Sequence, residues 1–194
     1  MESFFKTVNQ FVSLSAESAQ SLGDILKRRV FRKGDVLIKQ DTVCNYLYFI
    51  ESGLTRTYYL KVGKDVTDWI SAENSFACSI ISFLTRKPDR RMIEALEPSV
   101  VYGMHHKDLE KLYQKYHDIE RLGRLLISSG LLQVQQKFDD LHFATASERY
   151  HTLMQTNPSF ILRVPLGMIA SYPAAGNLQS VKVLFVRDDG LCKQ

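Results

Sequence analysis

The chain has 194 residues, of which 45% are hydrophobic and 24% are charged, so it can bury one sizeable core together with a small second unit. This length and composition exclude a disordered chain, a collagen and a large multidomain enzyme. No apolar run approaches the ~20 residues that a membrane-spanning helix needs, and the first residues lack a basic segment followed by a cleavable apolar stretch. We therefore expect a soluble cytoplasmic protein with no membrane partner.

The formal net charge of +4 permits an anionic partner, but a balance this small is common among proteins that bind no nucleic acid. The three cysteines, Cys44, Cys78 and Cys192, lie far apart and form no CxxC pair. This spacing argues against a disulfide framework and against a zinc or iron-sulfur site. We expect reduced thiols and no cofactor.

The first 104 residues divide into a helical and a β-rich part. Residues 1–28 carry apolar side chains at spacings of three and four, with a serine-rich break at residues 13–21, which predicts two short helices. From Val30 to Met104, short β-prone runs alternate with Gly, Asp and Asn. This texture predicts a barrel or a two-sheet jelly roll, because pairing all strands hides the edges of a small all-β unit.

A long helix is predicted after the β-rich part, from about His117 to Leu141, since this proline-free stretch repeats apolar residues at helical spacing. Its apolar side is wider than a two-stripe coiled-coil seam, so one side can cover the roll while another meets a second helix, such as a symmetry mate. An ordinary buried helix is the simpler alternative. The candidate dimer contacts are Leu122, Leu125, Leu126, Leu132 and Phe138.

The C-terminal part begins as further helices. Residues 144–157 predict a helix that ends at Asn157, before Pro158. In the run VPLGMIASY, Pro165 suits a first helical position, and Leu166 and Ile169 share a face with Ala170.

The order of these parts resembles the Crp/Fnr family of bacterial regulators, over roughly residues 10–172. The resemblance is carried by FRKGDVLIKQDTVCNYLYFIESGLTRTYY, where Gly34 and Asp35 open a strand and Gly53 makes the next turn, by SFLTRKPDRRMIEALEPSVVYGM, and by ASERYHTLMQTNP and VPLGMIASY after the long helix. It implies an α+β chain with a double-stranded β-helix (jelly roll) and flanking helices at 1–115, a dimerisation helix at 116–141, and a small helix-turn-helix-like, partly winged-helix domain at 142–194.

In this family a short phosphate cassette inside the roll holds the effector: a Glu accepts from a ribose hydroxyl, backbone amides cradle the phosphate and an Arg forks onto its oxygens. The resemblance places the cassette Gly-Glu at Cys78 and Ser79 and its Arg-Ser at Arg90 and Arg91, so of the family residues only Arg90 is retained. We call residues 78–91 the cassette segment.

These replacements predict that cyclic AMP is not the effector. Cys78 carries a Cβ where glycine allows close approach of the backbone to phosphate. Ser79 brings no carboxylate, which removes a charge-assisted contact that contributes ~1.5 to 3 kcal/mol. The pair of Arg90 and Arg91 is either a positive spot for another small anion or a solvated basic turn. The sequence leaves the identity of the small effector open.

Metal and catalytic sites receive little support. His105 and His106 are adjacent, which on a strand points them to opposite faces, and no third ligand recurs at metal spacing. The iron-sulfur branch of the family has an N-terminal cysteine cluster, whereas the first cysteine here is Cys44. We expect no enzyme, because no GxSxG elbow supports a nucleophile and the nearby polar residues diverge on one helix: Ser128, Ser129, Asp139, Asp140 and His142.

The family pattern is lost after Tyr172. The expected turn and recognition helix are replaced by Pro173, Ala174 and a tail whose run VKVLFV favours a strand. Lys182 falls near the groove-facing basic position, with Gln179 and Ser180 beside it as further candidates for DNA contact. A frame-shifted or truncated end and a divergent tail are both compatible with this change.

The sequence therefore favours a homodimeric transcription regulator of the Crp/Fnr type that responds to an unknown small effector. Double-stranded DNA is the ancestral partner, but we expect little sequence-specific binding from this tail. The alternative is a non-DNA-binding sensor of small anions, or a dimeric scaffold, built on the same jelly roll.

Overall fold

The computed structural model describes residues 1–172. Two helices precede the roll, α1 at Glu2–Val8 and α2 at Ala16–Asp24, which confirms the predicted helical pair. The serine-rich break supplies the start of α2, because the hydroxyl of Ser15 accepts from the backbone N–H of Ser18. Asp118 then accepts from the N–H of Ser15 and the hydroxyl of Ser18, at 2.8 and 2.6 Å, and ties α2 to the long helix.

Eight strands form the predicted two-sheet jelly roll within the described residues. All strand pairs are antiparallel, in the orders β1-β8-β3-β6 and β2-β7-β4-β5. The strands are β1 Lys27–Phe31, β2 Val36–Ile38, β3 Tyr46–Ser52, β4 Thr55–Lys61, β5 Lys64–Ser71, β6 Phe76–Ala77, β7 Met92–Ala95 and β8 Ser99–His105. A short helix, α3 at Ile80–Thr85, lies between β6 and β7.

The tight turn between β3 and β4 depends on Gly53. Its φ is +98°, and a Cβ there would meet the backbone of Ser99 at 2.7 Å, so only glycine fits without displacement of β8. The turn that the sequence assigned to this glycine is thus confirmed.

The core of the roll is covered by the N-terminal helices on one side. Phe4 of α1 packs edge-to-face on Phe49 and Phe76, with ring centroids 5.3 and 6.4 Å away, and Phe4, Phe49 and Ile50 are almost fully buried. Ile119 and Leu122 of the long helix belong to the same buried cluster. The roll and the start of the long helix therefore form one core.

Two helices follow the roll, α4 at His106–Lys115 and α5 at His117–Phe143. The long helix is thus present with the predicted start and two further residues at its end. Gly123 allows the two helices to approach, since a Cβ there would lie 2.9 Å from the ring of Tyr113. His106 opens α4 rather than continuing a strand, so the expected placement of both histidines on one strand is corrected: only His105 lies in β8.

Three helices end the described chain, α6 at Ala146–Thr156, α7 at Phe160–Arg163 and α8 at Leu166–Ser171. Thr145 and Glu148 form a reciprocal capping box that starts α6. Pro165 occupies the N-cap of α8 rather than the first helical position, because its ψ of 135° is extended.

Candidate functional site

The cassette segment connects β6 to β7 through α3. Ser79 is 2% exposed and stands at the N-cap of α3, but its hydroxyl does not cap that helix. The segment is fastened to the start of β3, since Arg86 donates to the backbone carbonyl of Cys44 at 2.7 Å and to the side-chain oxygen of Asn45 at 2.5 Å. Arg86 itself has a left-handed φ of 58° and ends α3.

Within the segment, Ser79 and Arg91 converge on the carboxylate of Asp89. The hydroxyl of Ser79 donates to one oxygen of Asp89 at 2.5 Å. A terminal nitrogen of Arg91 lies 3.3 Å from both oxygens of the same carboxylate. Two of the sequence-predicted effector residues are therefore brought together, and an acidic residue of the chain lies between them.

A second carboxylate, that of Asp68 on β5, continues this cluster. Arg91 donates through Nε to Asp68 at 2.7 Å, and Lys137 of α5 approaches the other oxygen of Asp68 at 2.9 Å. Lys137 also donates to the backbone carbonyl of Asp68. We call Ser79, Asp89, Arg91, Asp68 and Lys137 the cassette network; it extends from α3 to the long helix.

A β-bulge explains why the carbonyl of Asp68 is available to Lys137. Thr57 of β4 faces Trp69, and the next residue, Tyr58, faces Thr67, so Asp68 is left without a partner in the ladder. The bulge therefore offers both a carboxylate and a carbonyl to the lysine. This local irregularity determines where the roll meets α5.

The charges of the cassette network stabilise one another. Burial opposes ionisation of Asp68 and Asp89, but the hydrogen bonds to Asp68 from Arg91 and Lys137, and to Asp89 from Ser79 and Arg91, hold both pKa values below their ordinary range. Burial lowers the pKa of Arg91, but the carboxylates of Asp68 and Asp89 raise it by more, so the net shift is upward. Two carboxylates and two cations give the network no net charge.

Lys137 is the most buried cation of this network, at 9% exposure. Its ammonium lies 5.4 Å from the ring centroid of Trp69 and 5.5 Å from that of Tyr172, so the cation contacts two aromatic faces as well as Asp68. Burial raises the pKa of the Tyr172 phenol. Lys137 was not predicted from the sequence, where its signal is that of a charged residue inside an apolar helical series.

The remaining cassette predictions lie outside this network. Arg90 is exposed, and its guanidinium lies 5.3 Å from the ring centroid of Tyr59. Cys78 packs against the roll core, and burial raises the pKa of its thiol well above the ordinary value. Of the two arginines, Arg91 reaches Asp89, the residue that also accepts from Ser79, whereas Arg90 lies against Tyr59.

The roll holds a second buried cation that the sequence did not reveal. Arg56 of β4 is 5% exposed and pairs with Asp65 at 2.7 Å and with Glu94 at 2.8 Å. Its guanidinium also lies 4.2 Å from the ring centroid of Tyr58. This cluster joins β4 to its neighbours β5 and β7.

The long helix divides into a buried and an exposed part. Leu122 and Leu125 are each 5% exposed, and Leu126 is half-buried against the roll core. The structure thus places these three predicted dimer contacts in the protomer's own packing and leaves Leu132 and Phe138 exposed. Exposed apolar residues at spacings of four and three also form a stripe along the helix: Ile127, Leu131, Val134, Phe138 and Leu141. We call these five residues the α5 seam.

The C-terminal helices pack on the roll through a separate apolar cluster. Its members from the roll are Leu54, Ile70 and Leu96, and those from the helices are Leu153, Phe160, Val164 and Ile169. Arg163 of α7 adds charge contacts, donating to Glu73 at 2.6 Å and to Glu97 at 2.5 Å. The C-terminal segment up to Tyr172 is therefore docked on the roll.

Residues 1–172 contain no group of three or more His, Cys, Asp or Glu side chains that could hold a metal ion. In that part of the chain no helix is long and apolar enough to cross a bilayer. The DNA-contact candidates Gln179, Ser180 and Lys182, together with Cys192 and the tail after Tyr172, lie outside the described residues.

Comparison with protein families places the cassette in a known domain type. Residues 28–116 match the cyclic nucleotide-binding domain model. The chain is also 30% identical, over 118 residues, to a cAMP-dependent protein kinase regulatory subunit from Debaryomyces hansenii, a match that covers 61% of this chain and 25% of that protein. This chain thus spans about a quarter of the curated relative's length.

Solved structures of bacterial regulators share the fold. The catabolite activator protein of Thermus thermophilus matches with a TM-score of 0.58 and 16% identity, over 89% of this chain and 84% of that one. FixK2 from Bradyrhizobium japonicum matches with a TM-score of 0.65 and 16% identity, over 77% of each chain. The roll has the cyclic nucleotide-binding fold. A transcriptional regulator of the crp/fnr family from Eubacterium rectale matches with a TM-score of 0.64 and 15% identity, over 87% of this chain and 80% of that one.

Proposed function

We propose that this protein is a homodimeric, ligand-sensing transcription regulator of the Crp/Fnr type whose effector is a small molecule other than cyclic AMP. The observation that carries the proposal is the cassette network, which joins the predicted effector segment directly to the long helix. Ser79 and Arg91 belong to the cassette segment, and Lys137 belongs to α5. A change in the contacts of the cassette segment therefore alters the contacts of the helix that we assign to dimerisation.

The α5 seam supports the dimeric part of the proposal. Its five residues are 42 to 67% exposed in the single chain and repeat every 3.5 residues on average, which is the spacing of a two-helix coiled-coil seam. An exposed apolar stripe of this kind marks an interaction surface. A second copy fits it, since two identical helices related by a twofold axis present the same stripe to each other.

The absence of a carboxylate at Ser79 supports an effector other than cyclic AMP. The hydroxyl of Ser79 donates its hydrogen bond to Asp89, and two nitrogens of Arg91 donate to Asp68 and Asp89. We expect calorimetry with cyclic AMP to give no dissociation constant below ~10 µM, which corresponds to about −7 kcal/mol. Tighter binding would contradict this part of the proposal.

Regulation of transcription is the part that a DNA-binding measurement tests. The similarity to bacterial regulators over most of the chain supports it, and the same similarity favours a regulatory, non-catalytic protein. A gel-shift titration against random duplex DNA at low salt is expected to give binding that weakens steeply as salt is raised, because phosphate contacts release counterions. No shift at any salt concentration would favour the alternative below.

Sequence-specific binding needs a separate assay, using DNA from upstream of the protein's own gene. We expect weak, charge-driven binding through the basic tail residues, among them Lys182, and little discrimination between sequences. The assay is repeated with excess unrelated duplex at about 200 mM salt. If binding persists there and is lost in Lys182→Ala, the tail forms a recognition helix.

A second function is favoured by the similarity to the kinase regulatory subunit. In this alternative the roll is a sensor of small anions, or a dimeric scaffold, that binds no DNA. The two functions differ in the gel shift, whereas both require the α5 seam for dimerisation.

A further inference from the structure

The hydroxyl of Ser79 and the guanidinium of Arg91 are hydrogen-bond donors of the kind that bind an oxyanion. A hydroxyl and a guanidinium nitrogen converge on one point from two different elements, the start of α3 and the start of β7. Such charge-assisted donors bind carboxylates and phosphates alike. The group that lies there is the carboxylate of Asp89, which leaves the site chemically complete without any ligand.

The backbone of Asp89 is held so that its side chain reaches inward. Its carbonyl accepts from the N–H of Asp41 at 2.8 Å, and it forms an isolated β-bridge with Thr42. The side chain is only 10% exposed, whereas the preceding residues Lys87 and Pro88 are exposed. A carboxylate tethered in this way is present at a high effective concentration next to its donors.

Arg91 holds its two carboxylates unequally. Nε lies 2.7 Å from Asp68, whereas the nearest oxygens of Asp89 are 3.3 Å from Nη1. Asp68 is further secured by Lys137 at 2.9 Å. Asp68 is therefore the structural counter-ion of Arg91, and Asp89 is the carboxylate whose exchange for an external anion leaves the rest of the network intact.

We propose that Ser79 and Arg91 form an oxyanion site and that Asp89 is its resident occupant, which excludes small phosphate anions from the roll. The inference rests on the proposed ligand-sensing function and names Asp89 as the residue that determines specificity there. A phosphate that enters must displace the Asp89 carboxylate. If the site is free one tenth of the time, the apparent affinity for phosphate falls ~10-fold.

The first test removes the resident charge. Asp89→Asn changes the net charge of the cassette network from zero to +1 and leaves both donors in place. Calorimetric titration with inorganic phosphate is expected to show that the variant binds phosphate at least ~10-fold more tightly than the wild type does. The matched control is Asp24→Asn, which removes the same charge from an exposed helical position and is expected to behave like the wild type.

The second test locates the bound phosphate. In the Asp89→Asn background, adding Ser79→Ala or Arg91→Gln is expected to abolish the gain, while adding Arg90→Gln is expected to leave it unchanged. Arg90 is the matched control because it is the adjacent exposed arginine. If Arg90→Gln abolishes the gain and Arg91→Gln does not, the site is misplaced and the proposal is overturned.

A purely structural role for Asp89 predicts a different pattern. In that case Asp89→Asn would lower the melting temperature without any gain in phosphate affinity, and the proposal would fail. Should Asp89→Asn not fold, the melting temperature of the wild type decides: phosphate at neutral pH should stabilise it no more than chloride at equal ionic strength. A specific stabilisation by phosphate would overturn the proposal. None of these measurements depends on DNA or on dimer mass, so failure here is distinct from failure of the proposed function.

Discussion

The cassette network and the α5 seam lie on the same molecule but satisfy their chemistry in opposite ways. In the network, each charged group has a partner of opposite sign within 3.3 Å. In the seam, five apolar side chains remain 42 to 67% exposed in the single chain. In the single chain, the charges of the network are all paired, whereas the apolar side chains of the seam remain exposed.

This contrast indicates where the protein needs something from outside. Polar groups taken out of water must find partners, and the network finds them internally, so an incoming anion has to displace a resident one. Burial of apolar surface lowers the free energy, and the part of the chain that the structure describes leaves the seam exposed, so we expect a second molecule to cover it. Dimerisation is therefore the stronger expectation, and ligand binding depends on breaking existing contacts.

The largest effect is expected from charges placed in the seam. The double variant Leu131→Glu with Phe138→Glu should raise the dimer dissociation constant at least ~100-fold, because two carboxylates per helix cannot be buried unpaired. Light scattering at micromolar concentration should then report the monomer mass. Gln135→Lys with Gln136→Lys places two charges outside the seam, each four residues before an aspartate, and should leave the dimer intact. A wild type that is monomeric throughout would contradict the assignment of the seam.

The next effect is expected from opening the network at its most buried cation. Lys137→Met keeps the length of the side chain but leaves Asp68 with Arg91 alone, so the free energy of unfolding should fall by about 2 kcal/mol. Urea denaturation measures it. Lys111→Met, on the exposed surface of α4, is the matched control and should change stability little. A loss equal to that of the control would mean that Lys137 does not support the network.

A smaller effect is expected where the C-terminal helices dock. Arg163 pairs with Glu73 and Glu97, which are partly exposed, so Arg163→Ala should cost about 1 kcal/mol. Hydrogen exchange should accelerate in α7 and α8, while β3 and β8 keep their protection. Arg121→Ala on the exposed face of α5 is the control; equal exchange in the two variants would argue against a docking role for Arg163.

The smallest effect is expected from acid. The pKa values of Asp68, Asp89 and Glu73 are below their ordinary values of 3.8 and 4.5, because hydrogen bonds and nearby arginines outweigh burial. The unfolded chain therefore takes up these protons first, so the stability they contribute is present above the ordinary values and is lost as the pH falls through the lower folded values.

Denaturation between pH 6 and pH 3 should show this loss in the wild type. Asp68→Asn should flatten the decline, since one of the three groups no longer titrates. A wild-type stability that stays constant, or rises, as the pH falls through this interval would contradict the assigned pKa directions.

Local patterns predicted most of the architecture. The spacing of apolar residues identified the two N-terminal helices and the start of α5 at His117, and the alternation of β-prone runs with turn residues identified the jelly roll. These features follow from the periods of helix and strand, which a sequence displays directly. The resemblance to a family predicted the cassette segment at residues 78–91.

The same patterns could not sort the apolar residues of α5. Leu122 and Leu132 look alike in the sequence, yet one lies in the roll core and the other on the surface. Helical spacing shows which residues share a face, but only the docking of α4 and the roll decides how much of that face is covered. This is why the predicted dimer contacts overlap only in part with the α5 seam.

The sequence by itself determined the order of elements, because helix and strand periods are properties of neighbouring residues. The resemblance to a family predicted that Ser79 stands where the cassette has a carboxylate. Tertiary structure alone decided that Asp89 lies between Ser79 and Arg91 and that Lys137 reaches Asp68. These contacts join residues 68, 89 and 137, which come from a strand, a loop and a helix. Their meeting depends on a β-bulge and on the packing of α5, and neither leaves a periodic signal in the chain.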